Sequence, residues 1–124
     1  LLKRLRVPVK FIHVIRNPYD NIATRATRNG TSLSFAAKGY FKNMEVISKI
    51  DQGDSFEVEH IFLEDLICQP ALTLTGLLDS LNIAKPTDEY IQACSKMLFS
   101  RPKETRFDWE WSSSLVDYVS QKIY

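Results

Sequence analysis

The chain has 124 residues, of which 44% are hydrophobic, and a formal net charge of +1. That is the length of one domain at most, with a globular apolar content and no run long or apolar enough to span a bilayer. The mild charge balance, with no aromatic residues interleaved among the basic ones, argues against a nucleic-acid surface.

The first 28 residues are basic, with Lys3, Arg4, Arg6, Lys10, Arg16, Arg25 and Arg28 against Asp20 alone. Within them, residues 9–15 form a nearly continuous apolar run. It reads as a strand covered on both faces. His13 lies inside that run and reads as a strand histidine with a satisfied hydrogen bond. The run stops at Arg16, and a helix signal opens at once. Asn17 suits the N-cap, Pro18 the first helical position, and Asp20 completes a capping-box pattern. The helix is expected to reach about Arg28 and stop at Asn29-Gly30. A cation and a helix start at the C-terminal end of a buried strand point to an anionic, phosphate-bearing ligand.

Ser34 opens a second helix, with Ala37, Tyr40, Phe41, Met44 and Ile47 at core spacing. Gln52-Gly53-Asp54 breaks it. Residues 56–62 alternate apolar and polar and read as a second strand, followed by Glu64-Asp65. This middle region is acidic, with Asp51, Asp54, Glu57, Glu59, Glu64 and Asp65. Pro70 opens a third helix whose buried side is read as Leu72, Leu74, Leu77, Leu78 and Leu81. Thr87 caps a fourth over residues 88–98. A second basic stretch follows, with Lys96, Arg101, Lys103 and Arg106 against Glu104. Trp109 and Trp111 are expected to anchor it, and a last helix starts near Ser113. Two basic stretches far apart in sequence can converge on one anion. Cys68 and Cys94 have no metal-ligand spacing and read as small buried residues. Strands separated by helices imply an α/β layered fold, and two strands are too few for a well-buried parallel sheet.

Three of these stretches, in this order, resemble the C-terminal half of a sulfotransferase that uses 3′-phosphoadenosine 5′-phosphosulfate (PAPS). Residues 10–24, strand then Arg-Asn-Pro-x-Asp then helix, look like that family's 3′-phosphate-binding motif. Phe62-Leu63-Glu64-Asp65-Leu66 with Pro70 is similar to its Tyr-Glu-Asp-Leu and following helix. Residues 100–106 before Asp108-Trp109 look like its basic loop over the cofactor. The resemblance implies a three-layer fold like that of P-loop NTPases, a parallel sheet flanked by helices. It implies PAPS as co-substrate, no metal, and a small-molecule or carbohydrate acceptor. It matches Arg16 and Thr24 to the 3′-phosphate ligands. Arg101, Lys103 and Arg106 compete for the basic-loop role, with Arg101 and Lys103 favoured. Leu63 stands where many cytosolic members have a tyrosine on adenine, so that contact does not carry over.

Residues 1–124 then represent the 3′-phosphate-binding portion of one domain. The 5′-phosphosulfate loop and the catalytic base are expected before Leu1, and the portion alone is expected to be inactive. Position 1 is Leu rather than Met, in keeping with a piece of a longer chain. A nucleotide or small-molecule kinase of related fold and a non-catalytic nucleotide-binding module are the alternatives. Acceptor, oligomeric state and compartment, cytoplasm or Golgi lumen, are not readable.

Overall fold

The computed structural model describes residues 8–53 and 56–123. Lys3, Arg4, Arg6 and Asp54, noted above, lie outside the described residues. The described residues are α/β, with one small parallel sheet of two strands and a majority of helix. They form two compact units. Of the described residues, one unit comprises 8–16 with 50–53 and 56–102, the other 17–49 with 103–123.

The first unit holds strands β1 (Lys10–Ile15) and β2 (Glu57–Phe62), paired in parallel from Lys10↔Glu57 to Ile15↔Phe62. Phe11 and Phe56 meet edge-to-face at 5.3 Å. The connection after β2 is tighter than the sequence suggests. A six-residue helix, α3 (Leu63–Cys68), starts directly at the strand end, with Glu64 and Asp65 in its first turn where the helix dipole favours them. Then come α4 (Pro70–Ser80) and α5 (Asp88–Met97), the latter capped by Thr87 Oγ1, which accepts from the Tyr90 N–H at 3.2 Å. Asn82, in the left-handed region at φ 55°, turns the chain out of α4. Lys10 Nζ donates to Ser80 O at 2.6 Å, at the negative end of α4, and pairs with Glu57 at 2.8 Å.

Three expectations fail in this unit. Ile12 and Val14 are about half exposed, so β1 is not covered on both faces. Among the described residues β1 has one neighbouring strand, beside it in the sheet, and two strands cannot bury that face. Leu72 is 71% exposed, whereas Leu74, Leu77, Leu78 and Leu81 are half-buried. Those four recur at i, i+3, i+4 and i+7, and Leu72 lies off that stripe. Cys68, read as buried, is exposed at the end of α3 and is a free thiol, as is Cys94.

The second unit is helical. It consists of α1 (Pro18–Asn29), α2 (Leu33–Asp51) up to Lys49, a 3₁₀ turn (Thr105–Asp108) and α6 (Ser113–Ile123). Its core comprises Ile22, Ala23 and Ala26 from α1, Leu33, Ala36, Ala37, Tyr40 and Phe41 from α2, and Val119 from α6. Residues of α1, α2 and α6 share this one cluster. Trp109 and Trp111 pack against this core as expected. Trp109 Nε1 donates to Thr27 Oγ1 at 3.0 Å, and Trp111 Nε1 to Arg106 O at 2.9 Å.

The start of α1 holds one interaction beyond its sequence reading. Asn17 Oδ1 accepts from the backbone N–H groups of Tyr19 (3.0 Å) and Asp20 (3.4 Å), so the cap itself is as expected. The Asp20 carboxylate has a partner that the capping-box pattern does not announce. The carboxylate is 3% exposed and accepts from the Arg106 N–H at 2.8 Å and from the Arg106 guanidinium. A carboxylate withdrawn from water is stabilised by a guanidinium partner. Arg106→Ala, which leaves the Asp20 carboxylate buried with its cation removed, is expected to cost about 3 kcal/mol of stability. Asp20→Asn, which keeps an acceptor for the Arg106 N–H, is expected to cost less. Denaturant unfolding of both variants measures this, and a loss for Arg106→Ala of about 0.5 kcal/mol, the scale of a surface change, would contradict it.

Candidate functional site

Arg16 follows the last residue of β1. It therefore stands at the C-terminal edge of the parallel sheet, the edge at which open α/β sheets take their ligands. It is half-buried. Leu63 and Glu64 follow β2 at the same edge. Arg101, exposed, belongs to this unit too. An open hollow of about 840 Å³ lies at the opposite, N-terminal end of the strands, against Pro8, Lys10, Phe56, Glu57 and Ile83. Among the described residues that line it, the one cation is Lys10, which Glu57 and Ser80 O hold.

Thr24 and Lys103 belong to the second unit. Thr24, two turns into α1, is drawn into a hydroxyl chain that the sequence does not announce. Thr105 Oγ1 donates to Asp20 O at 2.9 Å, and Thr24 Oγ1 lies 2.9 Å from Thr105 Oγ1. A hydroxyl has a single hydrogen. Because Thr105 gives its hydrogen to Asp20 O, Thr24 is the donor to Thr105. The Thr24 hydroxyl is thus oriented by the 3₁₀ turn that follows the basic stretch. Thr105 was missed because Thr in a charged loop carries no periodic or capping signal.

The three candidates for the basic-loop role differ in surroundings. Arg106 is committed on two sides, to Asp20 and to Glu104. Arg101 and Lys103 have exposed side chains just before it. The N–H groups of Tyr19 and Asp20 are already taken by Asn17, so α1 offers an anion its dipole rather than those two amides.

One cluster of titratable groups lies in the first unit. His13 and His60 face each other across the sheet register, with Nδ1 atoms 3.1 Å apart, and His60 Nε2 is 3.3 Å from Asp51 Oδ2. His13 does have the hydrogen-bond partner expected of a strand histidine. Its pKa is lowered, first by burial and then by the neighbouring His60, with Asp51 opposing. Among the described residues, no group of three or more His, Cys, Asp or Glu is placed to hold a metal ion.

Comparisons with protein-family models, with curated proteins and with solved structures each gave no match.

A histidine with a lowered folded-state pKa binds its proton more readily in the unfolded chain. Stability therefore rises with pH wherever the unfolded state holds more protons. The His13 contribution is expected to be complete above the ordinary value of 6.5 and to be lost as pH falls below it toward the folded value. Denaturant midpoints measured across this window, for the protein and for His13→Gln, test the sign. The variant is expected to show the shallower acid slope, and equal slopes would contradict the assignment.

Proposed function

We propose that this chain forms the 3′-phosphate-binding part of a PAPS-dependent sulfotransferase, within a sheet-and-helix fold of the P-loop type. The observation that carries the reading is the junction at Arg16: a parallel strand ends on an arginine, and an Asn-capped, Pro-initiated helix begins at the next residue. That junction supplies a guanidinium able to grip a phosphate bidentately and a helix start whose dipole favours negative charge. A basic stretch containing Arg101 and Lys103, followed by a turn bonded to the same helix, adds to the support.

In this reading Arg16 and Thr24 bind the 3′-phosphate of the nucleotide, and Arg101 and Lys103 neutralise charge on the donor. Thr24 turns its hydrogen from Thr105 to a phosphate oxygen, at no cost to the Thr105–Asp20 bond. An acceptor hydroxyl or amine attacks the sulfur of PAPS. The bond from sulfur to the bridging phosphate oxygen breaks, 3′-phosphoadenosine 5′-phosphate leaves with the electron pair, and the acceptor gives up its proton. Such transfers depend on positioning and on stabilising spread negative charge. The residues named here hold the donor and do not touch the reacting atoms.

Arg16→Ala is expected to weaken binding of 3′-phosphoadenosine 5′-phosphate by about 1.5–3 kcal/mol, the scale of a charged hydrogen bond. Binding of adenosine 5′-phosphate, which lacks the 3′ group, should change much less. Calorimetric titration of both nucleotides reads the difference, and equal losses would overturn the role of Arg16. Replacing Arg101 and Lys103 together should raise KM for the sulfate donor and leave KM for the acceptor nearly unchanged. A change confined to the acceptor would move the loop to the acceptor site.

A further inference from the structure

Asn29-Gly30-Thr31 closes α1, and the backbone alone makes the closure. Gly30 adopts the left-handed conformation (φ 60°, ψ 37°) that a side chain would resist. The Gly30 N–H donates to Thr27 O at 3.3 Å and the Thr31 N–H to Ala26 O at 3.0 Å, the two bonds of a Schellman ending. Asn29 is exposed, as are Thr27, Arg28 and Gly30 beside it. Thr31 Oγ1 is shut off from solvent and has no hydrogen-bond partner. An unsatisfied, shielded hydroxyl destabilises a fold, and valine has nearly the same shape without that cost. The presence of a hydroxyl at position 31 therefore calls for a reason outside the packing of the folded unit.

The spacing supplies one. Asn-x-Ser/Thr with x other than proline is the acceptor pattern for N-linked glycans, and this triplet is its single occurrence in the 124 residues. We propose that Asn29 is an N-glycan acceptor and that the Thr31 hydroxyl is kept for recognition by the transferase. The donor is an oligosaccharide linked to a lipid pyrophosphate. Asn29 Nδ2 bonds to the anomeric carbon, the bond from that carbon to the pyrophosphate oxygen breaks, the lipid pyrophosphate leaves with the electron pair, and the amide loses one proton. The transfer takes place on the chain before α1 closes, while the Thr31 hydroxyl is still open. After folding, the exposed end of α1 carries the glycan into solvent without displacing a packed side chain. The inference stands apart from the nucleotide reading. It has its own consequence: this part of the protein passes through a secretory lumen.

The protein is to be expressed with its native N-terminal sequence in eukaryotic cells and digested with trypsin. Cleavage after Arg28 and Lys38 isolates the site in one peptide, residues 29–38. Peptide-N-glycosidase in heavy-oxygen water leaves a labelled aspartate wherever a glycan stood. Asn-Gly also deamidates spontaneously through a succinimide that takes its oxygen from solvent, so a parallel incubation in heavy-oxygen water without the enzyme gives the background that is subtracted from every label measured. The expected result is labelled aspartate at position 29 in most of the peptide, abolished in Asn29→Gln and Thr31→Val and retained in Thr31→Ser. Thr31→Val should melt no lower than the parent protein. An unlabelled peptide from the parent protein, or label persisting in Thr31→Val, would overturn the proposal. So would a clear loss of stability in Thr31→Val, since the hydroxyl would then serve the fold.

Discussion

A buried carboxylate organises the helical unit. Asp20, in the first turn of α1, is nearly removed from water and would be costly there without compensation. Arg106 compensates twice, through its backbone N–H and its guanidinium, and Thr105 adds a bond to the Asp20 carbonyl. Three hydrogen bonds from two adjacent residues converge on one residue more than 80 positions away. They fix the 3₁₀ turn on α1, and the tryptophans that follow the turn are then delivered to the core. Trp111 donates back to Arg106 O, and Tyr19, the residue before Asp20, shares a 2.8 Å hydrogen bond with Ser120 of α6. The pair is a matter of specificity as much as of stability. Its desolvation cost is large, and what it secures is one docking register for the segment 104–108.

The same arrangement divides labour among the basic residues. Arg106 is spent on Asp20 and Glu104, so any excess positive charge in that stretch must come from its neighbours. Thr24 is held by Thr105, which is in turn held by Asp20. In the proposed function, the turn that the Asp20 carboxylate anchors through Arg106 also orients, through Thr105, the hydroxyl meant for the 3′-phosphate. A structural interaction and a binding group are thereby linked through three hydrogen bonds.

Much of this architecture is legible in the sequence because it rests on local rules. The cap at Asn17, proline at the first helical position, the stop at Gly30 and the cap at Thr87 all follow from backbone hydrogen-bond bookkeeping within a few residues. The strand positions follow from apolar runs, though periodicity cannot say how many neighbours a strand has. The apolar run alone reads as covered on both faces, and the exposure of Ile12 and Val14 follows from the small number of strands. Helix α3 was hidden because six residues give too short a window for the 3.6-residue period. The Asp20–Arg106 pair and the Thr24–Thr105 contact are long-range. A carboxylate three residues after a cap has a good local explanation, and nothing in the sequence signals that a distant guanidinium also binds it. The histidine pair is of the same kind: only the parallel register brings positions 13 and 60 together.

The central claim is recognition of a ribose 3′-phosphate, and one ligand carries its own control. 3′-Phosphoadenosine 5′-phosphate has two phosphates in one molecule, each with its own phosphorus resonance. Phosphorus NMR during titration with the protein is the most direct measurement. The account predicts that the 3′ resonance shifts and broadens on binding and that its second ionisation moves to lower pH, since a guanidinium favours the dianion. A response confined to the 5′-phosphate, or no response from either, would contradict it.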